Sequence, residues 1–167
     1  MRIPNRKPGK FSQIKIDPLM TEAKFAELNR KLAMLKKKQP QAAAEVAKLS
    51  ELGDFSENAE YQLAKGRLRG LNNRILELEN QLNRAVIIRP QKSNTVAIGQ
   101  IVTVASDGKE RIYQILGSAE TNPHQGVISH TSPLGSALIG HRVGETVKVR
   151  LAEKEVAYKI ISLALPA

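Results

Sequence analysis

Four carboxylates stand together in a stretch without a single base: between Lys48 and Lys65 the chain carries Glu51, Asp54, Glu57 and Glu60. Glu51-Leu52-Gly53-Asp54-Phe55-Ser56-Glu57-Asn58 reads as a turn between two helices. Gly53 supplies the unusual backbone angles of a helix end, and Asp54, three residues before Glu57, has the spacing of a capping box. Capping is the ordinary use of such a pair and contributes about 0.5–2 kcal/mol. It does not explain why four acids gather at one place on a chain of net charge +10. Carboxylates at a helix N-terminus are held ionised by exposed amides and the helix dipole, and ionised oxygens are the ligands Mg²⁺ selects. A convex turn has no walls to exclude water or hold a substrate. The chemistry implied is therefore delivery of metal-binding carboxylates into a site elsewhere, with Asp54 and Glu57 as the candidate ligands and Ser56, Asn58 and Glu60 as capping or solvated neighbours.

The flanking hydrophobic periods say what presents this turn. Phe25, Leu28, Leu32 and Leu35 step by 3, 4 and 3, and the register continues through Gln39, Ala42, Val46 and Leu49. After the acids, Tyr61, Ala64, Leu68, Leu71, Ile75, Leu78 and Leu82 repeat the alternation. Two such heptad seams folded antiparallel about the turn pair positions whose numbers sum to about 110, matching Leu28 with Leu82, Leu32 with Leu78 and Leu35 with Ile75. The expected element is a coiled-coil hairpin over 19–90, its arms on the order of 45 Å long at 1.5 Å rise per residue. Pro40 leaves two readings open. It kinks one long first helix, with the small residues Gly70 and Gly66 opposite allowing close approach, or it begins a second helix after Gln39.

Basic side chains line the same arms: Lys36, Lys37 and Lys38 lie opposite Arg74, with Lys48, Lys65, Arg67 and Arg69 nearer the turn. A solvated face is the usual reading of a charge run, but the scarcity of partnering acids favours contact with a polyanion, whose affinity would depend steeply on salt. The charge is concentrated in this half: residues 1–90 hold 18 basic and 10 acidic side chains, residues 91–167 only 8 and 6. With no cysteine there is no disulfide scaffold, thiolate metal site or cysteine nucleophile. No apolar run approaches the roughly 18 residues of a membrane span. Residues 1–18 open with a basic, Pro- and Gly-containing extension lacking the apolar core of a secretory signal, so a soluble cytoplasmic monomer is expected.

From about Ile98 the period becomes two. Ile101–Val104, Arg111–Ile115, Thr146–Val149 and Val156–Ile161 read as strands, with Ser106-Asp107-Gly108-Lys109 as a hairpin turn and a short helix starting at Ser132-Pro133-Leu134-Gly135. Residues 91–167 thus form a small antiparallel sheet domain with one helix, and the whole chain is α+β. His124, His130 and His141 show no metal spacing and read as surface-loop residues.

Two long motifs resemble those of the bacterial Gre transcript cleavage factors: Gly53-Asp54-Phe55-Ser56-Glu57-Asn58-Ala59-Glu60-Tyr61, similar to their tip motif, and Ile128-Ser129-His130-Thr131-Ser132-Pro133-Leu134-Gly135-Ser136-Ala137-Leu138-Ile139-Gly140, similar to their C-terminal one. The resemblance runs from about Met20 to Leu163; Phe55, Asn122 and Glu145 depart from the family's preferences, and none is a tip acid. It implies an FKBP-like fold for the C-terminal domain, docked on RNA polymerase through Ser132, Pro133, Leu134 and Gly135. It further implies a coiled coil that enters the polymerase's secondary channel and stimulates its own hydrolysis of backtracked RNA. In that reading the factor is no nuclease and has no cofactor of its own. Asp54 and Glu57 help hold a Mg²⁺ of the polymerase, the basic stripe meets the RNA 3′ segment, and DNA of the elongation complex is a further contact. The rival readings are a channel-binding regulator that does not stimulate cleavage, and an isomerase or RNA-binding protein. The last is disfavoured because Tyr113 and Tyr158 are the only aromatics of 91–167.

Overall fold

A computed structural model describes residues 17–51, 59–151 and 154–167. Helix α1 spans Glu22–Ser50 and α2 spans Ala59–Asn83. Thr21 starts α1 by accepting the Lys24 N–H on its hydroxyl, satisfying one of the amides a helix leaves open. Every seam position named from the heptad pattern, from Phe25 to Leu49 and from Tyr61 to Leu82, is buried or half-buried, whereas the apolar residues off the seam, Met34, Leu63 and Leu76, are 57–65% exposed. The antiparallel register appears in cross-helix contacts: Gln39 Nε2 donates to Asn72 Oδ1 at 2.8 Å, and the Arg67 guanidinium meets Glu45 at 2.7 Å.

Pro40 lies inside the single helix α1, so the reading in which a second helix begins there is set aside. The expectation that Gly66 and Gly70 permit close approach also fails, because a Cβ built on either would meet nothing within 4 Å. Both glycines are exposed on the outside of the hairpin. Antiparallel pairing places residues at the same level along the rod, but only seam positions face the partner helix.

At the open end of the hairpin, β1 (Leu19–Met20) pairs in parallel with β2 (Val86–Ile87). Met20 is wholly buried there with Leu28 and Leu78, and Phe25, Leu82, Ala85 and Ile87 pack around them. Two-residue strands are too short to show a period, and the heptad reading did not include them.

The second layer system is a five-stranded sheet of β3 (Ile101–Ser106), β4 (Lys109–Leu116), β5 (Val127–Ser129), β6 (Thr146–Leu151) and β7 (Lys154–Ala164), in the order β5-β4-β3-β7-β6. The β3–β4 turn lies where expected, with Asp107 and Gly108 both at positive φ. The sheet is mixed and not purely antiparallel, because β5 runs parallel to β4. Residues 117–126, folded through two short 3-10 turns, carry the chain back along β4 before β5 begins. One sheet face, with Val102, Val104, Ile115, Val147, Val149, Tyr158 and Ile160, packs with Val96 and with Leu134 and Leu138 of helix α3 (Pro133–Leu138). Tyr113 packs at the edge of this core, so both aromatics of the domain serve its interior. No helix among the described residues is long and apolar enough to cross a membrane.

The seam makes a sharp contrast between neighbouring leucines. Leu78→Ala empties a buried site and is expected to cost about 2–5 kcal/mol, whereas Leu76→Ala, on the outside, should change stability by no more than about 0.5 kcal/mol. Urea unfolding of the two variants distinguishes them, and equal losses would contradict the seam.

Candidate functional site

Asp54 and Glu57 lie outside the described residues, in the segment 52–58 that joins the two helices. The island's outer acids are described: Glu51 closes α1 with its N–H on the Lys48 and Leu49 carbonyls, and Glu60 occupies the first turn of α2; both are exposed.

The eight basic residues of the stripe are all exposed, but they are not equally paired. Lys36 pairs with Glu79 at 2.6 Å, Arg67 with Glu45 at 2.7 Å, and Arg74 with Glu77 at 3.6 Å. The premise that this stripe lacks partnering acids is therefore wrong for three of its eight members: the two arms bring Lys36 to Glu79 and Arg67 to Glu45 across the hairpin, and Arg74 finds Glu77 three residues along its own helix. Lys37, Lys38, Lys48, Lys65 and Arg69 form no ion pair among the described residues. Lys65 stands 5.7 Å from the centroid of the Tyr61 ring, a cation–π distance. Exposed ion pairs are worth little, about 0–1 kcal/mol, so a polyanion could still displace the three paired acids.

The residues expected to dock have structural occupations. Ser132 Oγ donates to the Ser129 carbonyl at 2.7 Å and accepts the Gly135 N–H at 3.0 Å, capping α3. Pro133 takes the first helical position, where its missing N–H costs nothing. Leu134 is buried in the sheet core, and at Gly135 a Cβ would come within 2.1 Å of the Ser129 carbonyl oxygen. Of the four, only Pro133 presents an exposed side chain. The long motif around them thus shapes a loop, and any contact surface must come from what the loop leaves outside.

What the loop does touch is the base of the hairpin. Asp17, just before β1, accepts hydrogen bonds from the Ser118 N–H at 2.7 Å and the Ser118 hydroxyl at 2.9 Å through Oδ2, and from the Leu19 N–H through Oδ1. Ser118 Oγ also meets Ser129 Oγ, which meets Thr131 Oγ1. The Glu120 carboxylate takes both the N–H and the hydroxyl of Thr21, the residue that caps α1. Gly117 completes the joint: its Cβ, if present, would lie 1.8 Å from the Leu19 carbonyl oxygen. His130 is correspondingly no surface-loop residue. Its side chain is 15% exposed, and its Nε2 is buried without a hydrogen-bond partner among the described residues, 3.4 Å from Asp17 Oδ2. His124 and His141 are exposed as expected, His141 against Glu145. Sequence reasoning missed Asp17, Thr21, Ser118 and Glu120 as positioning residues; no local signal links Thr21 to a carboxylate 99 positions away.

Among the described residues no three His, Asp or Glu side chains cluster to hold a metal. A model described as transcription elongation factor, N-terminal, matches residues 18–87, and one described as transcription elongation factor, GreA/GreB, C-terminal, matches residues 91–164. The transcription elongation factor GreA of Nautilia profundicola is 41% identical over 147 residues, covering 84% of this chain and 90% of its own length. That of Geobacillus kaustophilus is 38% identical over 149 residues, covering 86% and 94%. Among solved structures, the GreA factor homolog 1 protein of Thermus thermophilus is 26% identical and covers 87% of this chain and 97% of its own, with a TM-score of 0.40.

The joint should respond to acid through Asp17. Burial pushes its carboxyl up, but the Ser118 and Leu19 N–H groups, the Ser118 hydroxyl and His130 together outweigh this and hold it below its ordinary value. A carboxyl depressed in the folded state stabilises fully above its ordinary pKa, and that stability is lost as pH falls through the lowered value. Hydrogen-exchange protection of the Ser118 amide should therefore fall on acidification through this range. In Asp17→Asn it should be low already at neutral pH and insensitive to acid; unchanged protection in the variant would remove Asp17 from the joint.

Proposed function

Because the chain belongs to the GreA/GreB family of transcription elongation factors, we propose that it acts on RNA polymerase by inserting its hairpin, turn first, into the secondary channel and stimulating the polymerase's own cleavage of backtracked RNA. One observation carries this reading. The hairpin is an unbroken pair of 29- and 25-residue helices sealed along a single apolar seam, and the segment joining them bears Asp54 and Glu57. At 1.5 Å per residue it reaches about 40 Å, enough to carry two carboxylates to a centre buried in another protein.

Two carboxylates suit a hard cation but are too few to complete its shell. Asp54 and Glu57 would supply oxygens to a Mg²⁺ that polymerase residues also hold, which is why cleavage belongs to the polymerase and not to this chain. When bound there, such a metal activates water and stabilises the departing oxygen of a phosphoryl displacement. The chain's own part is to carry the two acids to the metal and to exclude bulk water by filling the channel with the hairpin. Lys37, Lys38, Lys48, Lys65 and Arg69, which form no ion pair among the described residues, are the cations best placed to hold the extruded RNA 3′ segment by its phosphates. The sheet domain, held at the hairpin's base by Asp17 and Glu120, would rest against the channel's outer rim and set the depth of insertion.

A stalled, backtracked elongation complex tests this. With Mg²⁺ and the intact protein the RNA should shorten, and naked RNA with the protein but no polymerase should not. Asp54→Asn keeps a good helix cap but is a poor Mg²⁺ ligand. It should slow cleavage by about 100-fold or more, the upper end of what losing even a supporting partner of a metal ligand costs, while binding to polymerase stays near the parent's. Parent-like cleavage by Asp54→Asn at limiting Mg²⁺ would reduce Asp54 to a cap and recast the protein as a channel-occupying regulator.

A further inference from the structure

Strand β7 outruns its neighbour. β6 pairs only with Lys154–Lys159, and the last main-chain contacts on that side are Gly144 N–H to the Ile160 carbonyl and Ile160 N–H to the Glu145 carbonyl, both 2.8 Å. Beyond Ile160 the strand continues through Ser162, Leu163 and Ala164 with β3 as its ladder partner on one side. Among the described residues no main-chain hydrogen bond covers the other edge beyond Ile160, and this tail lines two adjoining hollows of about 260 and 400 Å³ that share Lys92, Ser93 and Leu163, one reaching Gln100 beside β3 and the other Arg142 and Val143. An uncovered strand edge is a template for another extended chain.

The lining says which chain. Its apolar part is aliphatic: Leu163 is half-buried, and Val143 and Leu165 are 50% and 44% exposed. Lys92 and Arg142 flank it, both exposed, and neither forms an ion pair among the described residues. Among the described residues no aromatic ring lines either hollow, so a nucleic-acid strand would find cations there but nothing to stack on. A polypeptide can use all three features at once, its backbone on the free edge, alternate side chains on the aliphatic floor and carboxylates on the two cations. We propose that this groove binds an extended acidic peptide segment of a partner protein, which adds as a strand along the tail of β7 between Lys92 and Arg142. The groove uses neither the tip acids nor the joint, so this interaction stands or falls independently of the cleavage reading.

The test uses the full chain and a short fluorescein-labelled peptide of alternating Asp and Leu, followed by anisotropy and by amide shifts in NMR. Saturable binding should shift Ser93, Val143 and Ser162 to Leu165. The double reversal Lys92→Glu/Arg142→Glu should weaken it about tenfold or more, since two attractions become repulsions. Lys37→Glu/Lys38→Glu, on the hairpin, should leave it unchanged. Methylating alternate backbone nitrogens of the peptide should weaken binding comparably if it adds as a strand. The proposal is overturned if binding does not saturate, if the hairpin reversal weakens it as much as the groove reversal, if the methylated peptide binds as well, or if single-stranded RNA displaces the peptide and shifts the same amides.

Discussion

A rod only two helices wide has one strip to bury, and the whole hairpin depends on that strip being apolar along most of its length, with the polar seam position Gln39 hydrogen-bonded across it to Asn72. Each helix contributes a row of about one residue in 3.5, and the opposite faces are left to water. Most of the tertiary stabilisation along the arms comes from residues such as Leu28, Ala64, Ile75 and Leu78, the exposed cross-helix ion pairs adding little. Outer positions are then free to carry Lys37, Lys38 and Arg69, and even Pro40 and two glycines, without threatening the rod. This division of labour allows a long projection to hold its shape while its surface is chosen for a partner.

A rod is useful only if its direction is set, and direction is decided at its base. There β1 and β2 tie entry to exit, Met20 seals the end of the seam, and two carboxylates from different parts of the chain grip across the joint. Glu120 binds the residue that caps α1, so the helix start and the domain junction share a single hydroxyl, that of Thr21. Hydrogen bonds to an ionised carboxylate are among the stronger ones available, about 1.5–3 kcal/mol each. The contact at Gly117 adds a steric condition, since no side chain fits against the Leu19 carbonyl.

The loop from Ser129 to Gly140 shows how one sequence motif can bear two meanings. Read as a family signature it suggested a docking surface; in the fold most of its members are occupied with capping, core packing and the joint. A contact role for this region therefore rests on how the loop is held as much as on which residues it exposes. The groove beside β7 adjoins the C-terminal end of the loop, but its lining residues lie outside the motif.

The sequence alone determined the elements whose signal is periodic or local: both heptad seams, the β3–β4 turn, the α3 cap and the strands with alternating burial. These depend on interactions within a few positions or on one repeated face, so a pattern of residue types suffices to announce them. The segment bearing Asp54 and Glu57 was likewise legible, as an acid island between two seams in a basic half. Only the tertiary structure decided what depends on residues distant in the chain. The parallel placement of β5, the partnering of Lys36 with Glu79 and Arg67 with Glu45, the burial of His130, and the grip of Asp17 and Glu120 all arise from contacts that close large loops. A single carboxylate at position 120 carries no mark of the hydroxyl it will meet at position 21, because that pairing is set by the path of everything between them.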